Sequence, residues 1–199
     1  PPETLTLAGT GSIRPNLTNN GTFTHNNGTV AFVGQNDNHA VVAGNSATTF
    51  NNVSISASSG VFGVDMYNNS NSVGATINGT LTINSGGFVA HAENGGSSAT
   101  DGSPLYGNGS TLHYYTGNSE INDFDAFAEW AAGQTGTARG VPDNVLLANN
   151  TWVGMRQNPG VREMRGHLTI DAGSGLDLGV SGSSTTKANG VVTNNGTIK

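Results

Sequence analysis

The chain has 199 residues, and glycine, asparagine, threonine and serine make up nearly half of them. Charged residues account for only 10%, against about 25% in soluble domains, and the formal net charge is −6. This charge argues against binding to nucleic acid or to anionic lipid, since both need clustered Lys and Arg. The sequence contains no cysteine, which excludes disulfides and Cys-zinc sites, and no apolar run long enough to span a membrane.

Short segments that alternate apolar and hydroxyl residues follow one another along the chain and predict β-strands. In chain order they include 4–7, 22–24, 29–33, 81–83, 167–170 and 176–178. The alternation puts apolar side chains on one face and threonines on the other. The predicted inward set includes Phe23, Val30, Leu81, Ile83, Leu168 and Ile170.

Asn-Gly pairs separate these segments at 20–21, 27–28, 78–79 and 195–196. Both residues tolerate positive φ and therefore mark turns, and such pairs are common in hairpins. Strands this short would nevertheless build a poor sandwich core. A solenoid needs only a few inward apolar side chains from each coil and stacks like residues above one another. The sequence therefore predicts an all-β, right-handed parallel β-helix (β-solenoid), with 1–199 as a single domain.

Internal similarity supports a repeat architecture. The segment at 79–86 returns at 166–173, an offset of 87 residues, and Asn-Val-Ser-Ile at 52 returns as Asn-Val-Leu-Leu at 144, an offset of 92. These offsets predict two sub-repeats of about 90 residues, with a loop or helix insertion at about 94–140. In addition, LTNNGTFT at 17–24 returns as VTNNGTIK at 192–199.

One segment departs from the strand pattern. Phe124, Phe127 and Trp130 follow one another at every third position, with alanines between them. This spacing is typical of the apolar stripe of a helix. It predicts one short helical excursion near 120–132 that packs over the flank of the solenoid.

The order of these segments resembles the long repeat modules of secreted bacterial (Bacteroidetes-type) parallel β-helix surface or adhesin-like proteins. The resemblance runs from about residue 5 to 199 and rests on TNNGTFTHNNGTVAFVG, TTFNNVSI, GTLTINSG, STLHYYTGN, EWAAGQTGTARGVPDNVLL and RGHLTIDAGSGLDLG. It implies a parallel β-helix, an extracellular or cell-surface location, and an adhesive or structural role. It implies no catalytic residues and no cofactor.

Metal binding has weak candidates only. Glu120, Asp123 and Asp125 lie close together in sequence, and dense carboxylates can bind Ca²⁺, although their spacing is not that of an EF-hand. The alternative is a solvated acidic surface. The segment 171–177 resembles one copy of a calcium-binding glycine-aspartate nonapeptide, but a single copy supplies only part of such a site.

A polysaccharide-processing site would have to draw on few residues. The plausible acids are Asp65, Glu93, Asp101 and Asp143, and the plausible basic residues are Arg139, Arg156, Arg162 and Arg165. The arginines within 156–165 could hold a uronate bidentately. The alternative is that these arginines pair with neighbouring acids. We therefore expect no enzyme. The Thr-x-Thr pairs at 4–6, 22–24 and 80–82 lack the constant interval that a flat ice-binding lattice needs.

The sequence thus favours an extracellular structural or adhesive module, including as the subunit of a filament assembled end to end. The alternative is a carbohydrate-binding or polysaccharide-processing β-helix protein. The expected partners are copies of the chain stacked end to end, or neighbouring repeats of a longer chain, and surface glycans.

Assembly is expected at the two ends, because neither end has sequence typical of a cap and an open solenoid exposes unpaired backbone groups there. The predicted assembly residues are Thr4, Leu5, Thr6, Leu7, Val192, Thr193, Asn194, Asn195, Gly196, Thr197 and Ile198.

Overall fold

The regular structure of the described residues is entirely β, and no helix occurs among them. The computed structural model describes residues 3–10, 13–35, 38–60, 62–66, 74–85, 87, 89–91, 96–98, 102–117, 124–126, 128–155, 160–178 and 184–199. The strands are β1 (Thr4–Ala8), β2 (Leu17–Thr18), β3 (Thr29–Gln35), β4 (Asn38–Ala43), β5 (Thr48–Phe50), β6 (Asn52–Ser59), β7 (Phe62–Asp65), β8 (Ala75–Ile77), β9 (Thr80–Asn84), β10 (Val89–His91), β11 (Gly96–Ser98), β12 (Leu105–Tyr106), β13 (Thr111–Tyr115), β14 (Phe124–Asp125), β15 (Asn144–Leu147), β16 (Trp152–Gly154), β17 (Val161–Met164), β18 (Leu168–Ile170), β19 (Gly175–Asp177), β20 (Thr185–Ala188), β21 (Val192–Asn194) and β22 (Thr197–Ile198).

Eight parallel strands form one long sheet, in the order β1, β3, β6, β9, β13, β15, β18 and β21. Each strand of this sheet begins a new coil. The shortest step between register partners in successive coils is 23 residues, from Thr29 to Asn52. The longest step is 33 residues (Thr111 to Asn144), within the stretch where an insertion was predicted. Coils of unequal length therefore stack in a common register.

The other strands complete the coils. Second strands form the sheets β2-β4-β7 and β14-β16-β19-β22, and third strands form β12-β8-β5 and β17-β20. Every pairing among the described strands is parallel except that of β10 with β11. The Asn-Gly pair at 78–79 is accordingly a corner between β8 and β9 and not a hairpin turn. The chain is a parallel β-solenoid, which confirms the predicted fold class.

Two inward-facing rows run along the long sheet and form one side of the core, to which the other sheets add residues such as Phe50, Phe62 and Val153. Residues of both rows are at most 4% exposed from β3 to β18. Of the predicted inward set, only Phe23 is incompletely buried, and its ring packs edge-on against Phe50 at a centroid distance of 5.5 Å. The first row contains Val30, Val53, Leu81, Leu112, Val145 and Leu168, and the second contains Phe32, Ile55, Ile83, Tyr114, Leu147 and Ile170.

The predicted helix near 120–132 is not found where that segment is described. Phe124 and Asp125 form β14, and Phe124 lies opposite Val153 in β16. The backbone of this segment bonds to the neighbouring coil, since the Ala126 N–H donates to the Gly154 carbonyl at 2.9 Å. That partner is distant in sequence, which is why spacing within the segment predicted the wrong structure. Residues 120–123 and 127 lie outside the described residues.

The sequence offsets of 87 and 92 residues each span three coils. Leu81 and Leu168 share a row of the long sheet and lie three strands apart, and the same holds for Val53 and Val145. The two NNGT copies do not occupy equivalent places. Leu17–Thr18 is the second strand of its coil, whereas Val192–Asn194 belongs to the long sheet.

Asparagine side chains link successive coils at the corners. The Asn52 Oδ1 accepts a hydrogen bond from the Thr80 N–H at 2.9 Å. Asn144 bridges both of its neighbours, because its Nδ2 donates to the Ser110 carbonyl at 3.1 Å and its Oδ1 accepts from the His167 N–H at 3.0 Å. These bonds satisfy backbone groups that the strands leave unpaired. Other asparagines adopt the left-handed conformation that corners require, namely Asn26, Asn27, Asn149 and Asn150.

Candidate functional site

The first strand forms one edge of the long sheet. In β1, Leu5 continues the first inward row and lies opposite Val30, while Leu7 continues the second row opposite Phe32. Val30 is only 4% exposed, but Leu5 is 49% exposed. The difference arises because no described strand pairs with the outer edge of β1.

Beneath this edge the interior of the solenoid opens to solvent. The concavity has a volume of about 530 Å³, and its lining includes Leu5, Phe23 and Val30 together with Glu3 and His25. Its apolar lining belongs to the same core that is closed in the following coils. The opening has the size and character of a space that side chains of a further coil would fill.

The last coil exposes the opposite edge. Val192 in β21 lies opposite the buried Leu168 and is 50% exposed. Ile198 in β22 lies opposite the buried Leu176 and is 40% exposed. Neither β21 nor β22 has a described strand on its outer side. Two apolar columns of the interior therefore reach this surface.

The predicted assembly residues separate into two groups at opposite edges of the long sheet. Those at 4–7 lie in β1, and those at 192–198 lie in and between β21 and β22. All of them are exposed except Leu7 and Gly196, which are partly buried. The structure therefore brings together the residues within each group but keeps the two groups apart.

Among the described residues, the predicted acids and arginines do not form one site, and Glu93, Asp101 and Arg156 lie outside the described part of the chain. Asp65 is a buried residue of β7, whereas Asp143 precedes β15 and accepts a hydrogen bond of 2.6 Å from the Gly109 N–H. Asp143 also forms an ion pair with Arg165, whose Nε lies 3.3 Å from its Oδ1. Arg162 is fully buried. Arg165 thus pairs with an acid, as the alternative has it, whereas the Arg162 guanidinium donates to the backbone carbonyls of Trp130 and Ala126.

The calcium candidates fall largely outside the described part of the chain. Glu120, Asp123 and the carboxyl group of Asp125 lie outside it, and only the backbone of Asp125 is described, in β14. Among the described residues, no group of three His, Asp or Glu side chains is arranged to hold a metal ion.

A buried polar cluster that the sequence did not predict joins three coils. The Arg162 Nε donates to the Trp130 carbonyl at 2.9 Å, and its Nη2 donates to the Ala126 carbonyl at 2.6 Å. The Tyr106 hydroxyl donates to the Glu129 carbonyl at 2.7 Å. The signal available in the sequence was a polar residue at a position where neighbouring inward positions are apolar. The carbonyl groups that it contacts could not be predicted, because they belong to another coil.

The cluster holds two opposite charges, those of Arg162 and Glu129, beside the phenols of Tyr106 and Tyr114. Burial raises the pKa of Tyr106 and Tyr114 well above its usual value, and the nearby Glu129 carboxylate raises both further. The Arg162 guanidinium acts in the opposite direction on the pKa of Tyr114. Both phenols therefore stay protonated at neutral pH and act as hydrogen-bond donors within the core.

Comparison of the chain with protein-family models, with curated proteins and with solved structures gives no match. Within the described residues, no helix combines the length and the apolar character that crossing a membrane requires. The geometry of the two exposed coil edges is therefore the basis of the functional proposal.

Proposed function

We propose that the chain is an extracellular or cell-surface structural module, adhesive or scaffolding in role, that extends by stacking its coils on those of a second copy. The observation that carries this proposal is the course of the two inward rows. Both rows remain buried from β3 to β18, and the first row continues to exposed apolar side chains, Leu5 at one edge and Val192 at the other. The extracellular location is proposed from the family resemblance.

The register of such a contact follows from the register inside the molecule. Val192 of one copy would lie beside Leu5 of the next, and Asn194 would lie beside Leu7. Backbone hydrogen bonds would then pass from coil to coil without interruption, as they do between β3 and β18.

Contact between these two edges is heterologous, since one surface differs from the other. It leaves a free edge at each end of every assembly, and addition of copies therefore continues into a filament. Few charges oppose the contact, because β1 and β21 contain no charged residue. An adhesive role would follow from the repeated display of one outer surface along such a filament.

Cysteine cross-linking tests this arrangement directly, since the chain has no cysteine of its own. Parallel strands lie about 4.8 Å apart, within the Cα separation of about 4.4–6.8 Å that a disulfide can join. Under mild oxidation, the Leu5→Cys/Val192→Cys double variant should form a ladder of covalent oligomers. Either single variant should stop at dimers.

A mismatched pair provides the control. In Leu5→Cys/Thr193→Cys the two side chains point to opposite faces of the sheet, and cross-linking should be much slower. Equal rates for the two pairs, or a monomer at high concentration in sedimentation, would overturn the proposal. A native polypeptide several times larger than 20.2 kDa would show instead that coils of the same chain cover these edges.

A further inference from the structure

A polar trough lies on the outer face of the long sheet, away from the coil edges. Its volume is about 300 Å³. Its lining comes from three consecutive strands, β3, β6 and β9, and carries no charge. The polar side chains are Thr29, Asn52, Ser54, Thr80, Thr82 and Asn84, and Val53 completes the lining.

Internal hydrogen bonds fix part of this lining. The Asn84 Nδ2 donates to the Ser54 Oγ at 2.9 Å and to the Ile55 carbonyl at 3.3 Å. The hydroxyl groups of Thr80 and Thr82 have no side-chain hydrogen bond to any described residue. The trough therefore combines an oriented amide with hydroxyl groups that are available to a ligand.

Two aromatic side chains continue the same outer rows on the next strand. In β13, Tyr115 lies opposite Asn84 and His113 lies opposite Thr82. Tyr115 is 44% exposed, although large side chains on a sheet normally lose solvent contact by packing. Its ring meets that of His113 edge-on at 5.3 Å, which holds the tyrosine in a defined orientation.

The strands around the trough carry no charged side chain on their outward face. The outward positions of β3, β6, β9 and β13 hold no Asp, Glu, Lys or Arg. Burial lowers the pKa of His113, despite an opposing effect from Asp171, and this imidazole is uncharged at neutral pH. The His113 Nε2 has no hydrogen-bond partner among the described residues.

We propose that this trough binds an uncharged oligosaccharide, with Tyr115 as the surface on which one sugar ring stacks. Hydroxyl and amide groups beside an exposed aromatic ring match a ligand that has many hydroxyls and an apolar ring face. A uronate polymer is disfavoured, because no arginine or lysine lines the trough among the residues that the structure describes. An ice surface fits less well, because Asn52, Ser54 and His113 interrupt the threonine ladder.

Isothermal titration calorimetry with four neutral hexasaccharides, built from cellulose, xylan, mannan and laminarin backbones, tests the proposal. At least one should bind, and Tyr115→Ala should weaken its binding about three- to tenfold or more, by loss of ring stacking. Tyr115→Phe keeps the ring and should bind within about twofold of the original chain. Equal affinity for Tyr115→Ala would overturn the assignment of the stacking surface.

A matched pair of threonines tests the trough itself. Thr82→Val removes a hydroxyl inside it and should weaken binding, whereas Thr169→Val removes an outward hydroxyl of the same sheet two strands beyond β13 and should not. Equal effects of these two changes would overturn the proposal, as would binding of none of the four sugars at millimolar concentration. Thermal hysteresis without sugar binding would assign the face to ice.

Discussion

The Tyr114 hydroxyl donates a hydrogen bond of 3.1 Å to the Glu129 Oε1, and both side chains have no solvent exposure. Tyr114 occupies an inward position of the long sheet, where neighbouring coils place Ile83 and Leu147. The solenoid thus contains one polar segment within an apolar column. The charge of Arg162 lies near the same phenol, and the opposite charges of Arg162 and Glu129 make this burial tolerable.

Alkaline pH should destabilise the fold through this cluster. The pKa values of Tyr106 and Tyr114 are raised above the ordinary 10.0, so the unfolded phenols lose protons first. Stability is then fully present below about pH 10 and falls as pH rises further. Tyrosinate absorbance and denaturant titration should show these two tyrosines ionising only with unfolding.

The variant Tyr114→Phe separates the hydrogen bond that this phenol donates to Glu129 from its effect on stability at alkaline pH. It should cost about 1–3 kcal/mol at neutral pH, because Glu129 loses a buried donor. It should also reduce the loss of stability above pH 10. Ionisation of all tyrosines near pH 10 in an intact fold would contradict the role given to Glu129.

Acid pH should remove the contribution of the Glu163 carboxylate to the stability of the fold. Hydrogen bonds from the Lys187 Nζ at 2.9 Å and from the Gly136 N–H at 3.2 Å hold the pKa of this carboxyl below 4.5. Its stabilising effect is present above that value and disappears as pH falls through the folded-state pKa. The variant Glu163→Gln should therefore be less stable than the original chain at pH 7, and the difference should shrink at about pH 3. A difference that is constant with pH would contradict this.

Adjacent residues on β18 test the inward and outward assignment. Leu168 is 3% exposed, and Leu168→Ala should cost about 2–5 kcal/mol of unfolding free energy. Its neighbour Thr169 faces outward, and Thr169→Ala should cost about 0.5 kcal/mol or less. Guanidinium titration of the two variants measures both values, and equal costs would show that the register is wrong.

The corner asparagines should differ according to their hydrogen bonds. Asn144→Ala removes bonds to the coils on both sides and should cost about 1–3 kcal/mol. Asn195 is exposed and its side chain bonds to no described residue, so Asn195→Ala should change stability by about 0.5 kcal/mol or less. Thermal unfolding of both variants provides the comparison. Similar losses would mean that corner asparagines act through backbone conformation and not through bridging.

The alternation of apolar and polar residues within single segments was sufficient to predict which side chains face the interior in most coils. The alternation at Leu81 and Ile83, and again at Leu168 and Ile170, specifies one face of a strand whatever lies beside it. The solenoid could be predicted for the same reason, because many short alternating strands with corner asparagines suit few other folds. The exposure of the predicted assembly residues could be anticipated from their place in the sequence, since they lie in β1, in β21, in β22 and between the last two, and these strands have no described strand on their outer side.

Contacts between residues of different coils could not be predicted from the sequence. Phe124 pairs with Val153 and Arg162 reaches Ala126, and both contacts depend on coil lengths between 23 and 33 residues. A change of one residue in a coil would bring different partners together. The offset of about 90 residues was similarly ambiguous, because three unequal coils and one long repeat give the same number.

The unequal coils also determine how the molecule would respond to tension along its stacking axis. The hydrogen bonds of the long sheet run along that axis, so a pull at the two ends would load and break one interval between coils at a time. Each coil occupies about 4.8 Å along the stack. Once unfolded, its 23 to 33 residues would extend to about 80–115 Å. Single-molecule stretching of one chain should therefore show a series of unequal steps in length, one for each coil that unfolds.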